Sequence, residues 1–458
     1  MKKFEKGKIW TYIFLLVMSL VAIIMFEKSL IISFVILFAI IFLGFKFNIK
    51  KFPLVIFLFT FIIRLIVVFF IKTPLESDFL EIYKASQSIL NNDYSFVANS
   101  YFSTWSYQIG FAFVQSLFLR IFNSAMFLKI INCLISATIT LLIYLISKEF
   151  SDEKSSKISS IIYAIMPFTI TYVTILTNQY LSSLLIYLAI YLIIAKKIKI
   201  NLILKYVIVG ILLAIANLIR PESIIPLFSI ILFMILTMNK KNIKSNILNI
   251  ITTIGTYFCM SLLISSIFIS SGIAPDGLKN NDPYWKFVLG FNHDTGGRYS
   301  DADVGNIGDK EKEIEVIKER VFTSPIKLAK LFINKIRTFW LNTTLSWSLI
   351  HLYEKSILIF GYSINISSII PIFENINSYI MFGLYIFLIL GVYKYVNKKD
   401  YNKNILLIIT QVFVTFGVYL LIEVQPRYAY HIQISVAVLA SLGISELIKF
   451  IENKRSKK

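Results

Sequence analysis

Pro53-Leu-Val-Ile-Phe-Leu-Phe-Thr-Phe-Ile-Ile-Arg64-Leu-Ile-Val-Val-Phe-Phe-Ile71 is a run of nineteen residues with a single charge, Arg64. A helix rises 1.5 Å per residue, so a run of this length crosses the roughly 30 Å hydrocarbon core of a bilayer. Similar runs lie near 9–26, 29–46, 126–147, 157–175, 179–195, 203–219, 222–238, 247–270, 378–396, 404–422 and 429–449, twelve in all with the first. They explain why the 458-residue chain is 57% hydrophobic and only 16% charged, where a soluble domain carries roughly 25% charged residues. The chain therefore reads as an all-α polytopic membrane protein with about twelve transmembrane helices.

The formal net charge of +20 does not point to nucleic acid, because the basic residues sit in short clusters between the apolar runs. With twelve spans, one set of connections carries the N-terminal lysines, Lys46/Lys50/Lys51, Lys148/Lys154/Lys157, Lys196/Lys197/Lys199, Lys240/Lys241/Lys244, Lys398/Lys399/Lys403 and Lys454/Arg455/Lys457/Lys458. Basic connections face the cytoplasm, which puts both termini inside. Lys2, Lys3, Lys6 and Lys8 precede an apolar run, but Met25 to Leu30 offers no small-residue cleavage site, so the first helix reads as retained. Cys133 and Cys259 both fall in apolar runs, which leaves no disulfide framework and no thiolate metal site.

Trp105 to Phe122 is also apolar, yet a crossing there would reverse every later basic cluster. Gln108, Gln115, Ser116, Arg120 and Asn123 share one helical face and Tyr107, Phe111, Val114, Leu117, Phe118, Ile121 and Phe122 the other, as expected of a helix lying on the membrane. Two long outer segments remain, 72–125 and 271–377. Thr73-Pro74-Leu75-Glu76 predicts a capping box opening a helix with Phe79, Ile82, Tyr83, Ile89 and Leu90 on its apolar face. Ser324-Pro325 predicts a second amphipathic helix to Trp340, with Lys327, Lys330, Lys335 and Arg337 alternating with apolar residues. Ser356 to Phe373 reads as interfacial or re-entrant.

Ionisable groups near the bilayer are costly, and each is a candidate for function. Asp78 follows a span by about two turns, where a helix N-terminus favours negative charge. It is either a general base or a solvated first-turn acid. Glu76 is first of all the capping partner of Thr73. Arg220, in Asn217-Leu-Ile-Arg-Pro-Glu222, and Arg427, in Glu423-Val-Gln-Pro-Arg-Tyr428, each stand at the outer end of a hydrophobic hairpin. A guanidinium there can grip a lipid-linked phosphate bidentately; the alternatives are snorkelling, or local ion pairs Arg220–Glu222 and Glu423–Arg427. The turn-rich stretch Gly290 to Asp303 holds Asn292, His293, Asp294, Arg298, Tyr299 and Asp303, which could bind a sugar or an acceptor or simply turn the chain. The three histidines, His293, His351 and His431, lack ligand spacing, so no metal is assigned.

Taken in order, Glu76-Ser77-Asp78, Tyr101 to Gly110, Met166-Pro167, Leu176 to Tyr191, Arg220-Pro221, Gly290-Phe-Asn292, Ser324-Pro325 and Glu423 to Tyr428 resemble the GT-C superfamily of polyprenyl-phosphate-sugar glycosyltransferases, in the branch of protein O-mannosyltransferases and aminoarabinose transferases. The resemblance implies a GT-C-type fold: two extra helices in 1–52, a core in 53–270 with its catalytic outer loop 72–125, a second outer loop 271–377, C-terminal helices in 378–450 and a basic tail 451–458. It implies Asp78 as the base and Arg220 and Arg427 as donor-phosphate contacts, with Glu76 and Asn178 as supporting residues. Where the family often carries a second acid this chain has Asn178, which argues against a metal-dependent member.

The implied activity is inverting transfer of one sugar from a polyprenyl monophosphate to a hydroxyl on an outer glycan, lipid or protein, with membrane lipid as a further partner, no nucleic acid and no cofactor. A transporter or flippase of lipid-linked sugars, or a polysaccharide polymerase or ligase, is the rival expectation.

Overall fold

The computed structural model describes residues 6–46, 49–341, 345–359 and 362–456; Lys2, Lys3, Lys457 and Lys458 of the orientation argument lie outside them. Among the described residues seven helices are long and apolar enough to cross a membrane: Lys6–Met25, Phe52–Ile71, Ala125–Ser147, Leu202–Ile219, Ile243–Ser270, Ile366–Val396 and Pro426–Lys454. Ser29–Gly44, Gln179–Ile194, Pro221–Thr237 and Ile405–Leu421 are apolar but shorter and occupy four more of the expected runs. Phe52–Ile71 turns Leu54, Leu58, Ile62, Ile66 and Phe70 outward, exposed, as a lipid-facing helix must. The chain is a multi-pass membrane protein.

The remaining run, 157–175, is not one helix. Glu153–Ile165 stops at Met166, in extended conformation, and Pro167–Thr171 begins a new turn. Proline lacks the N–H the ladder needs and bars the preceding residue from helical geometry. The backbone groups freed by the break find side chains from elsewhere. Arg64 donates to the Ala164 carbonyl at 3.1 Å and to Thr169 Oγ1 at 3.0 Å, and the Phe168 N–H donates to Asn377 Oδ1 at 3.1 Å. The one charge in the opening sequence thus splices a broken helix inside the bundle.

At the centre, Tyr430–Arg455 crosses Ile366–Val396, with Gly391 and Gly443 at the closest approach. A Cβ on Gly391 would lie 2.2 Å from the Gly443 nitrogen, so the two backbones touch because neither residue has a side chain. Ile366–Val396 also absorbs the second half of the ambiguous stretch. Ser356–Ile359 and Tyr362–Asn365 form a two-stranded antiparallel hairpin, and the helix begins directly after it.

The capping box does not form. Helix Ser77–Leu90 starts after Glu76, which makes no side-chain cap. Thr73 Oγ1 instead bonds Thr174 Oγ1 at 2.7 Å and the Ser348 carbonyl at 2.8 Å, while Lys129 Nζ donates to the Thr73 carbonyl at 2.5 Å. Tertiary partners outbid the local cap, and they pin the start of the first outer segment. The helix itself buries Phe79, Ile82 and Ile89 as expected.

Gln108–Leu119 is a 12-residue helix, with Gln115 and Ser116 buried against the protein and Leu117 exposed; Ile121 and Phe122 just beyond it are exposed as well. Phe111 of the apolar face is buried too, and Arg120 and Asn123 of the polar face are exposed, so the two-faced division expected from the spacing holds only in part. Cysteines placed at Asn99 and Asn123, both exposed, are expected to react with an impermeant reagent outside intact cells. Protection of Asn123 alone until the cells are permeabilised would mean that the segment crosses.

Ser324 caps Pro325–Ile336 by accepting from the Lys327 N–H, as expected. Lys335 departs from the expected basic face. It is buried, and its Nζ donates to the Gly290 carbonyl at 2.9 Å and the Leu420 carbonyl at 2.7 Å. Carbonyls at helix ends lack intrahelical partners, and one ammonium serves two such ends.

Candidate active site

Residues of the long segments 72–125 and 271–377, with three helix ends, enclose a cavity of about 340 Å³. Asp78 comes from the first turn after Glu76, Asn178 precedes Gln179–Ile194, Arg220 follows Leu202–Ile219, Lys286 belongs to the short helix Trp285–Gly290, and Glu423 to Tyr428 lead into Tyr430–Arg455. The basic connections gather at the other end of the bundle, where Lys154 pairs with Glu452, Lys398 with Glu446, and Lys8 lies over the Tyr401 ring.

Three cations and three carboxylates line the cavity. Arg220 Nη2 is paired with Glu222, and its Nη1 donates to Asn178 Oδ1 at 2.8 Å. Tyr419 donates its hydroxyl to the same Glu222 oxygen at 2.8 Å. Asn178 also donates to Gln108 Oε1 at 3.5 Å, so the amide orients the guanidinium.

Arg427 is held differently. Its Nε donates to Gln425 Oε1 at 2.7 Å, its guanidinium lies 5.2 Å from the Phe79 and Trp347 ring centres, and its Nη2 is 3.9 Å from Asp78 Oδ2. Asp78 is 45% exposed, while Arg427 is 12% exposed, so the carboxylate faces open space and the guanidinium forms the wall. Both arginines line the cavity.

Of the two local ion pairs expected, Arg220–Glu222 forms and Glu423–Arg427 does not. Gln425 stands between the latter two, donating to Glu423 Oε1 at 2.6 Å. Glu423, buried, takes Lys286 as its partner, and its own N–H donates to the Lys286 carbonyl at 2.8 Å. Burial raises the Glu423 carboxyl, and the Lys286 ammonium more than reverses that. Lys286 was not a sequence candidate, and nothing local marks it: its carboxylate lies 137 residues away. Tyr101, Trp105, Tyr107 and Trp285 were missed as well and add four aromatic side chains to the cavity lining. Burial pushes the Tyr107 phenol up to about 12, which keeps it a hydrogen-bond donor at neutral pH.

The remaining candidates lie elsewhere. Glu76 lines a separate small crevice with Thr73 and His351. From the 290–303 loop only Tyr299 reaches the cavity lining. Asn292 accepts from the Asp294 and Thr295 N–H groups and donates to Asp303 Oδ2 at 2.7 Å. Asp303 is paired with Arg320, His293 Nε2 lies 2.9 Å from the Arg320 carbonyl, and Arg298 Nε donates to the Thr295 carbonyl at 2.9 Å. Among the described residues no group of three or more His, Cys, Asp or Glu side chains could hold a metal ion.

A buried carboxyl pair secures the loop that carries Lys286. Asp282 accepts from the Trp285 and Gly308 N–H groups, both at 3.2 Å, and lies against Glu313. Burial first, and Asp282 second, push the Glu313 carboxyl up from 4.5 to about 7. Its folded pKa is raised, so its contribution to stability is full below about 4.5 and is lost as pH rises through about 7. Thermal stability of the wild type is expected to fall across that window, and Glu313→Gln should flatten the fall. An equal slope in the variant would remove Glu313 as the cause.

Residues 108–264 match the model of the family described as dolichyl-phosphate-mannose-protein mannosyltransferase. The match makes this segment GT-C-like. It includes Asn178 and Arg220, leaves Asp78, Lys286 and Arg427 outside, and does not specify the branch. No curated protein matches the chain. Two solved structures of the Archaeoglobus fulgidus oligosaccharyltransferase are similar beyond the GT-C-like segment. One, AglB in complex with an inhibitory peptide and a dolichol-phosphate, shares 12% identity at a TM-score of 0.48 over 89% of this chain and 51% of that one. The other, the apo form, shares 15% identity at a TM-score of 0.49 over 89% and 52%. The chain spans about half the length of these structures.

Proposed function

We propose that the protein is an inverting glycosyltransferase which moves one sugar from a polyprenyl monophosphate to a hydroxyl acceptor at the outer face of the cell membrane, with both termini in the cytoplasm. One observation carries this reading: a half-exposed carboxylate, Asp78, shares a single cavity with two buried, oriented guanidinia, Arg220 and Arg427. The family name of the matched segment, with its dolichyl-phosphate-mannose donor, supports a lipid-linked sugar phosphate.

In this mechanism Asp78 accepts the proton of the acceptor hydroxyl while its oxygen bonds to the anomeric carbon. The bond from that carbon to the phosphate oxygen breaks, and the electron pair leaves with the polyprenyl phosphate. Arg220 and Arg427 stabilise the charge that grows there. A phosphate leaves readily, so a single carboxylate suffices, and Asn178 serves by holding Arg220 where the family often has an acid. On this reading the chain divides into two N-terminal helices, a core, two outer segments and a C-terminal helix set, and the outer segments serve as a cap over the cavity. The acceptor is a cell-envelope glycan, lipid or protein.

A transporter is favoured by one feature, the helix broken at Met166-Pro167. Arg64 and Asn377 already occupy the Ala164 carbonyl and the Phe168 N–H there, which gives the break a structural use within the bundle. Purified protein in detergent, without a membrane potential, should convert a polyprenyl-phosphate sugar and an acceptor into glycosylated product and free polyprenyl phosphate. Intact donor recovered with every sugar and acceptor in a panel would favour the transporter.

A further inference from the structure

The three cations of the cavity meet at one aromatic ring. Arg220 Cζ lies 5.2 Å from the Tyr428 ring centre, Lys286 Nζ 5.4 Å and Arg427 Cζ 5.5 Å. They arrive from three separate segments, and like charges so close repel. Each brings one carboxylate, Glu222, Glu423 or Asp78, and the fully paired set would have little charge left to offer an anion. A ring works differently: its negative face attracts Arg220 and Arg427 without cancelling a formal charge, while Lys286, 3.4 Å from the hydroxyl, meets the ring at its edge. Tyr428 is itself buried, and its edge is fixed by its hydroxyl, which donates to Glu423 Oε2 at 3.3 Å and lies 3.4 Å from Lys286 Nζ.

We infer that Tyr428 is the positioning residue of the anion site: its ring gathers Arg220 and Arg427 around one point, beside the Lys286 ammonium at its hydroxyl edge, and Lys286 becomes a third contact for the donor phosphate. The inference rests on the reading of the bound anion as an isoprenoid phosphate. It predicts that the ring matters and that the hydroxyl is secondary.

The full-length protein in detergent is titrated with a short-chain isoprenoid monophosphate, followed by tryptophan fluorescence, since Trp285 lines the cavity and Trp347 stacks on Arg427. Tyr428→Phe should bind within about twofold of wild type, and Tyr428→Leu about tenfold more weakly. In turnover the leucine variant should raise KM and lower kcat together, because the guanidinia it positions also stabilise the departing phosphate, while the phenylalanine variant keeps both near wild type. Tyr428→Met replaces it if it does not purify folded. Tyr428→Leu combined with Arg427→Gln should lose less than the product of the two single losses, because the ring acts through the guanidinium. The paired variant Lys286→Gln/Glu423→Gln, which leaves no buried charge alone, should bind several-fold more weakly.

Equal losses in Tyr428→Phe and Tyr428→Leu, or no loss in either, would overturn the role of the ring while the phosphate reading survives. Unchanged binding in the paired variant would remove Lys286 from the site. A wild type that binds no isoprenoid phosphate would overturn both this inference and the reading it rests on.

Discussion

Asp78→Asn is expected to leave the protein folded and able to bind a polyprenyl-linked donor while turnover falls by about 10²- to 10⁴-fold, the usual cost of a lost general base. The substitution keeps the shape of the side chain and its first-turn position, and Asp78 is not a buried partner on which the fold depends, being 45% exposed and 3.9 Å from Arg427. Glu76→Gln serves as the control. Glu76 lies outside the cavity and makes no cap, so its amide should cost little in activity or stability. The check is donor turnover beside donor affinity for both variants. Near-normal turnover in Asp78→Asn with loss in Glu76→Gln would move the base to the wrong side of Ser77; activity in both would end the catalytic reading of this segment.

Arg220→Gln is the second large effect, and it has two separable parts. On the proposed mechanism the guanidinium supplies a charge-assisted phosphate contact, typically about 1.5 to 3 kcal/mol, and it is also the cation that pairs with Glu222. Removing one partner of a buried pair costs about 3 to 5 kcal/mol, although here the pair is 14% and 22% exposed, which places the cost at or below the lower end. The single variant should therefore lose both thermal stability and donor affinity. Arg220→Gln/Glu222→Gln should recover the stability and not the affinity. Arg220→Lys should keep the pair and bind donor only in part, since it lacks the fork that reaches Glu222 and Asn178 together. Arg427→Gln, with no short ion pair to break, should weaken donor binding with a smaller loss of stability. A double variant that binds donor like wild type would make Arg220 a structural residue only.

Much of this molecule is legible as hydropathy. All but one of the apolar runs become single helices and Ser324-Pro325 opens its helix, while which side chains of Gln108–Leu119 pack against the protein cannot be read from its spacing. Asp78, Asn178, Arg220 and Arg427 can be picked out because charged or amide groups at the ends of apolar runs are conspicuous, and all four line one cavity.

What spacing hides is the choice among competing partners. Thr73 has a good local cap in Glu76 and yet bonds Thr174 and Ser348. Lys335 has the helical position of a surface lysine, but the carbonyls that bury it are 45 and 85 residues away. Glu423 has Arg427 four residues on and pairs with Lys286 instead. In each case the winning contact is long-range and comes from the way the outer segments fold back over the helix ends, which no local pattern encodes. The turn-rich 290–303 loop misleads in the opposite direction: its polar side chains satisfy one another, and only Tyr299 is left facing the cavity.

The most direct test is a structure of Asp78→Asn with a polyprenyl-phosphate sugar bound. The phosphate should lie between the Arg220 and Arg427 guanidinia, with the anomeric carbon turned towards residue 78. A phosphate bound away from both arginines, or a sugar whose anomeric carbon faces away from residue 78, would contradict the account.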